Sequence, residues 1–110
     1  VTLHIAPDAI EEAAKLLYIR ALKILPDDIK QGFSRIVASE TDATAQSILA
    51  TMVENIGVAE RTENLLCQDT GIPIFNVQIG RDVALDGWAL KQALTRGTAR
   101  ATREHPLRSS

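Results

Sequence analysis

With 110 residues, the chain has room for one domain or a piece of one, since domains run to about 100–200 residues. Apolar residues make up 45% and charged residues 24%, an ordinary globular balance, and a net charge of −2 leaves no electrostatic footprint for nucleic acid. One cysteine excludes an internal disulfide and fits a reducing compartment, which argues for the cytoplasm, and no apolar run approaches the roughly 20 residues of a membrane span.

Asp8-Ala9-Ile10-Glu11 reads as a helix start, with Asp8 as N-cap and Glu11 as its capping-box partner. Ile10, Ala13, Ala14, Leu17, Ala21 and Ile24 follow at helical spacing. Pro26 closes that helix and opens the next, because proline fits a first helical position and no interior one. Asp27 and Asp28 lie in that first turn, where the helix dipole favours carboxylates, and Ile29, Phe33, Ile36 and Val37 form the apolar stripe. Thr41 or Asp42 caps a third helix with Ala45, Ile48, Leu49, Met52, Val53 and Ile56 on one face. Gly57 is its expected C-terminal stop, with a short irregular turn over 58–66.

The period then changes. Phe75, Val77 and Ile79 alternate with Asn76 and Gln78, which predicts a half-buried strand over 74–79 ending at Gly80. Asp86 caps a fourth helix from Gly87 to about Arg103, halted before Pro106. A single strand has no ladder partner of its own. Either a second strand hides in 81–86 or the partner lies on chain outside these residues. The expected fold is helix-dominated α+β: about four helices, with a cysteine-containing site loop leading into one short strand.

The candidate chemistry sits before that strand. Cys67 alone reads equally well as a small buried hydrophobe. Gln68, Asp69 and Thr70 then break all periodicity, and Gly71 permits a positive φ or a close backbone approach. A loop carrying thiol, amide, carboxylate and hydroxyl before a strand suits a site, although Asp-Thr-Gly is also common turn chemistry. This loop is expected to be at least partly accessible. Arg96, Arg100 and Arg103 share one helical face and suggest either an anion groove or a solvated basic surface, the second being the commoner. Trp88 and His105 are expected to serve packing and structure, and His4 no function.

Cys67-Gln68-Asp69-Thr70-Gly71, followed by an apolar strand ending in glycine, resembles the first cluster-binding motif of the class I iron–sulfur hydro-lyases. That family includes class I fumarases and the α subunits of L(+)-tartrate dehydratase. The likeness extends upstream through "ENIGVAERTENLL" and downstream to His105-Pro106-Leu107-Arg108. It implies that Cys67 is one of three cysteine ligands of a [4Fe-4S] cluster whose fourth iron binds substrate as a Lewis acid. It further implies that Gln68 and Asp69 contact substrate, that Asp69 moves a proton or orients the hydroxyl, and that Arg108 grips a carboxylate. With no second or third cysteine, residues 1–110 are expected to be the N-terminal segment of a larger hydro-lyase α domain, inactive and without cluster when alone.

The resemblance thus implies reversible hydration of fumarate to malate. Tartrate dehydration is the enzymatic alternative, and a non-catalytic helical interaction module with a buried Cys67 is the alternative of a different class. The implied partners are a small dicarboxylate and the rest of the α subunit, with a β subunit or C-terminal domain, in a homo-oligomer or αβ hetero-oligomer. Neither nucleic acid nor membrane is expected as a partner.

Overall fold

The computed structural model describes residues 1–65 and 72–105. Helices dominate them, joined by one short strand pair: β1 (Leu3–His4), α1 (Pro7–Lys23), α2 (Asp27–Ser39), α3 (Ala43–Thr62), β2 (Val83–Ala84) and α4 (Gly87–Glu104). The chain divides into two compact units. The first draws on Val1–Arg20 and Gln68–Ser110, the second on Ala21–Cys67.

In the first unit, β1 and β2 pair in parallel, with Leu3 opposite Val83 and His4 opposite Ala84. The Leu3 N–H donates to the Asp82 carbonyl at 2.8 Å, which extends the pairing by one bond. α4 starts where its sequence signal lies: the Asp86 carboxylate accepts from the Ala89 N–H at 2.9 Å and satisfies one of the helix's free donors. Ala93, Gly97 and Ala101 recur every four residues along α4 and are all buried. Against Gly97 lies the Glu11–Lys15 stretch of α1, where Ala14 is 1% exposed. A Cβ added at Gly97 would stand 2.4 Å from the Glu11 carbonyl oxygen and 2.8 Å from the Ala14 Cβ. Small residues let the two backbones approach closely, and charged side chains then bridge above them. Lys15 Nζ meets Glu104 at 2.9 Å and Glu12 at 3.4 Å, while Arg100 reaches Glu12 at 3.0 Å.

The second unit is a helical hairpin made by α2 and α3. Glu40 turns the corner between them. Its N–H donates to the Ile36 carbonyl, and its carboxylate accepts from the N–H groups of Thr41 and Asp42 at 2.8 and 2.9 Å. Asp42 is the cap of α3, accepting from the Ala45 N–H at 2.9 Å. An ion pair of 2.7 Å between Lys30 and Glu60 ties the two helices farther along. Between them lies a cavity of about 480 Å³ lined by Leu25, Phe33, Met52, Ile56 and Ala59.

Several boundaries differ from expectation. α1 begins at Pro7, with the Ala6 carbonyl accepting from Ala9 and Ile10, so Asp8 is a first-turn acid and not the cap. Pro26 is the N-cap of α2, one position before its first helical residue. α3 runs through Gly57 and stops at Thr62, because Ile56 and Ala59 carry its apolar face past the glycine. A single interior glycine costs only about 1 kcal/mol, which continued packing offsets.

The predicted strand over 74–79 is corrected as well. From Ile72 to Gly80 no strand forms, and the strands among the described residues are the two-residue β1 and β2, the second of them inside the 81–86 stretch offered for a hidden strand. Alternation marks which side chains share a face but supplies no ladder partner. Trp88, expected to pack, is 67% exposed.

Candidate functional site

Cys67, Gln68, Asp69 and Arg108, the candidate site residues, lie outside the described residues, as does the expected accessibility of the Cys67 loop. What the structure does show is how the chain is delivered to and taken from the two motif segments.

On the upstream side, α3 ends in a left-handed cap. Glu63 takes φ 54° and ψ 30°, and its N–H donates to the carbonyls of Ala59 and Glu60. The Asn64 N–H returns to Ala59 at 3.0 Å, the pattern that satisfies a helix's last free carbonyls. The Asn64 side chain donates to the Thr62 hydroxyl at 2.9 Å, and that hydroxyl donates to the Val58 carbonyl at 2.8 Å. Glu63 and Asn64 are therefore held by a defined helix terminus.

On the downstream side, Ile72–Ile79 forms neither helix nor strand. A tight turn closes it, with the Val83 N–H donating to the Gly80 carbonyl at 3.2 Å. The second motif segment follows α4, whose C-cap His105 leaves the helix at φ −128° and ψ 153° while its N–H donates to Ala101. His105 thus terminates the helix before Pro106, the structural role expected of it.

Of the described side chains that sequence reading offered for anion binding, Arg96 and Arg100 are committed elsewhere. Arg96 Nε lies 3.5 Å from Glu11, and Arg100 bonds Glu12 and also approaches Glu104 at 3.7 Å. Guanidinium groups already matched by carboxylates make a poor anion groove, and that reading is set aside. The Lys15–Glu104 pair in the same network was not anticipated. Only its short-range parts, the i,i+3 spacing of Glu12 and Lys15 and the i,i+4 spacing of Arg100 and Glu104, were open to sequence reading. The hydrogen bond from Lys15 holds the Glu104 carboxyl below its usual value, and the same bond raises the Lys15 ammonium. Among the described residues, no group of three or more His, Cys, Asp or Glu is placed to hold a metal ion. No helix among them is long and apolar enough to cross a membrane.

The family model described as fumarate hydratase (Fumerase) matches residues 11–110, nearly the whole chain and both motif segments. The chain belongs to the fumarate hydratase family. Relatives of this family carry two kinds of name. A Methanocaldococcus jannaschii protein provisionally named L(+)-tartrate dehydratase subunit alpha is 32% identical over 93 residues, covering 84% of this chain and 33% of its own length. The L(+)-tartrate dehydratase subunit alpha of Escherichia coli K12 is 32% identical over 84 residues, or 74% of this chain and 28% of its own. A Geobacillus stearothermophilus protein provisionally named fumarate hydratase class I is 29% identical over 98 residues, or 88% of this chain and 19% of its own. The chain therefore spans about a third or less of the length of these fumarate hydratase family relatives.

Proposed function

We propose that these residues are the N-terminal segment of a [4Fe-4S]-dependent hydro-lyase that adds water to fumarate to give malate, reversibly. The observation that carries this is the Cys67-Gln68-Asp69-Thr70-Gly71 motif inside a family match over residues 11–110. The donor type fits: iron–sulfur clusters are held by cysteine thiolates. The donor number does not, since one thiol is a single ligand, and the other thiolates must come from the part of the domain that the relatives carry and this match does not include. When bound, such a cluster supplies a Lewis acid for the hydroxyl that is gained or lost.

In this reading Cys67 is one cluster ligand. The Gln68 amide donates to a substrate carboxylate, and Arg108 holds the other with its planar two-donor fork. Asp69 orients the hydroxyl or carries the proton that must arrive at, or leave, the neighbouring carbon. The partners are a C4 dicarboxylate, the rest of the α domain, and a β subunit or C-terminal domain.

A second reading has its own support. The M. jannaschii and E. coli relatives at 32% identity bear the tartrate dehydratase alpha name, and the G. stearothermophilus fumarate hydratase relative stands at 29%. Fumarate hydration and L(+)-tartrate dehydration by the anaerobically purified subunit, with its β partner where one exists, decide between them. The expected result is turnover of fumarate that Cys67→Ser abolishes. Preferential turnover of tartrate would establish the second reading, and turnover of neither by a preparation with full iron content would overturn both.

A further inference from the structure

In the first unit, the stretch 72–79 stands out for its main chain. From Ile72 to Ile79, no backbone N–H or C=O bonds another backbone group among the described residues. Its neighbours are apolar: Phe75, Val77 and Ile79 border a cavity of about 340 Å³ together with Ile10, Leu17 and Leu94. Phe75 is half-buried, while Val77 and Ile79 remain 44% and 51% exposed. Asn76 and Gln78, which alternate with them in sequence, border the same cavity. The segment thus lies against α1 and α4 with no main-chain partner among the described residues.

Edges meant to face water are blunted by lysine, proline, charge or a bulge. Residues 74–80, "IFNVQIG", contain no charged residue and no proline. The adjoining β1–β2 pair points the same way, because two parallel strands are not stable alone, and parallel strands occur with both faces covered.

We infer that residues 74–79 are a docking edge for a β-strand supplied by the part of the family domain outside the matched region. That part accounts for about two thirds of the relatives' length, so it is large enough to bring both a strand and a cover for the apolar rim. Strand addition suits this edge: main-chain bonds satisfy the open N–H and C=O groups, and alternate side chains seat Phe75, Val77 and Ile79. The inference rests on the reading of this chain as one segment of the hydro-lyase domain.

Hydrogen exchange followed by mass spectrometry on the complete subunit and on the 110-residue chain tests it. Amides of 74–80 should exchange roughly a hundredfold or more slowly in the complete subunit than in the dilute 110-residue chain, as bonded sheet amides open only through local unfolding. Equally fast exchange in both overturns the inference. So does protection in the 110-residue chain that grows with concentration alongside a dimer, which would make a second copy the occupant. Hydro-lyase activity of the same subunit preparation separates the two readings. An active subunit with unprotected 74–80 rejects the docking edge alone, and an inactive one with protected 74–80 rejects the functional reading alone.

Discussion

Glu63 takes φ 54°, a left-handed conformation that favours glycine, yet it is the residue that stops α3. Gly57 was the legible stop, and the helix passes it, since the apolar face continues through Ile56 and Ala59. A terminus set by where packing runs out cannot be read from a glycine alone. Glu63→Gly should therefore stabilise the chain by about 0.5–1 kcal/mol, seen as a higher midpoint in thermal unfolding. The candidate site residues lie outside the described stretches, and their reading had a different source. Periodicity marked Cys67–Thr70 as a loop, but the roles came from resemblance, because turn chemistry and site chemistry use the same residue types. Those roles separate in the complete enzyme. Cys67→Ser should lower iron content and activity together. Arg108→Ala should leave the cluster absorbance intact and weaken dicarboxylate binding by roughly 2–5 kcal/mol, the cost of unpairing a buried charge. Asp69→Asn should keep cluster and binding but lower turnover. Wild-type turnover in all three with the cluster intact would return the chain to the interaction-module reading.

Helices were the readable elements, for a physical reason. Asp42 and Asp86 were picked out by side-chain chemistry acting over three residues, and both cap as expected. The strands were readable only in part: β2 falls in the 81–86 stretch offered for a hidden strand, but β1 was not foreseen, and their pairing joins chain positions about eighty residues apart in a register that no local pattern encodes. The α1–α4 contact is likewise non-local, and Gly97 is its tightest point. Gly97→Ala must displace the Glu11 carbonyl, a backbone atom with nowhere to rotate, so the expected loss is about 1–3 kcal/mol in denaturant unfolding. Gly87, with open space around its Cβ position, is the control for a glycine replacement in the same helix. The bridge above that contact sets a pH dependence. Glu104 is held below its ordinary 4.5 by the Lys15 hydrogen bond, so its stabilising contribution is complete above that value and is lost as pH falls through the lower, folded value. Lys15 is raised above 10.5, so its share is present below that pH and fades only in strong alkali. Thermal midpoints of the wild type and Glu104→Gln should differ at neutral pH and converge in acid. A gap independent of pH would remove the ion pair as its cause.

At the scale of the molecule, the apolar balance is unusual. The nearly buried apolar residues among those described are Ala14, Ile19, Ala59, Ala93 and Ala101, four alanines and one isoleucine. Ile29, Ile36, Val37, Ile48, Met52 and Val53, which the helical stripes marked for a core, remain exposed. Their spacing was legible, but what they pack against was not, because a stripe encodes a face and not its partner. In the proposed reading the rest of the family domain would supply both the cover and the other thiolates, the match to the M. jannaschii relative spanning 33% of that protein's length. These two deficits make one joint prediction. Anaerobic reconstitution of the 110-residue chain with iron and sulfide should yield essentially no stoichiometric cluster, since one thiolate cannot take the place of three. The same chain should expose apolar surface, bind a hydrophobic dye and associate at raised concentration. In the complete subunit, both signals should reverse together: iron and sulfide at four per site, and dye binding lost. If the 110-residue chain instead holds a stable four-iron centre, the ligand count assigned to Cys67 is wrong. If it is monomeric and dye-silent without one, its apolar stripes are covered from within, and the need for the rest of the domain disappears.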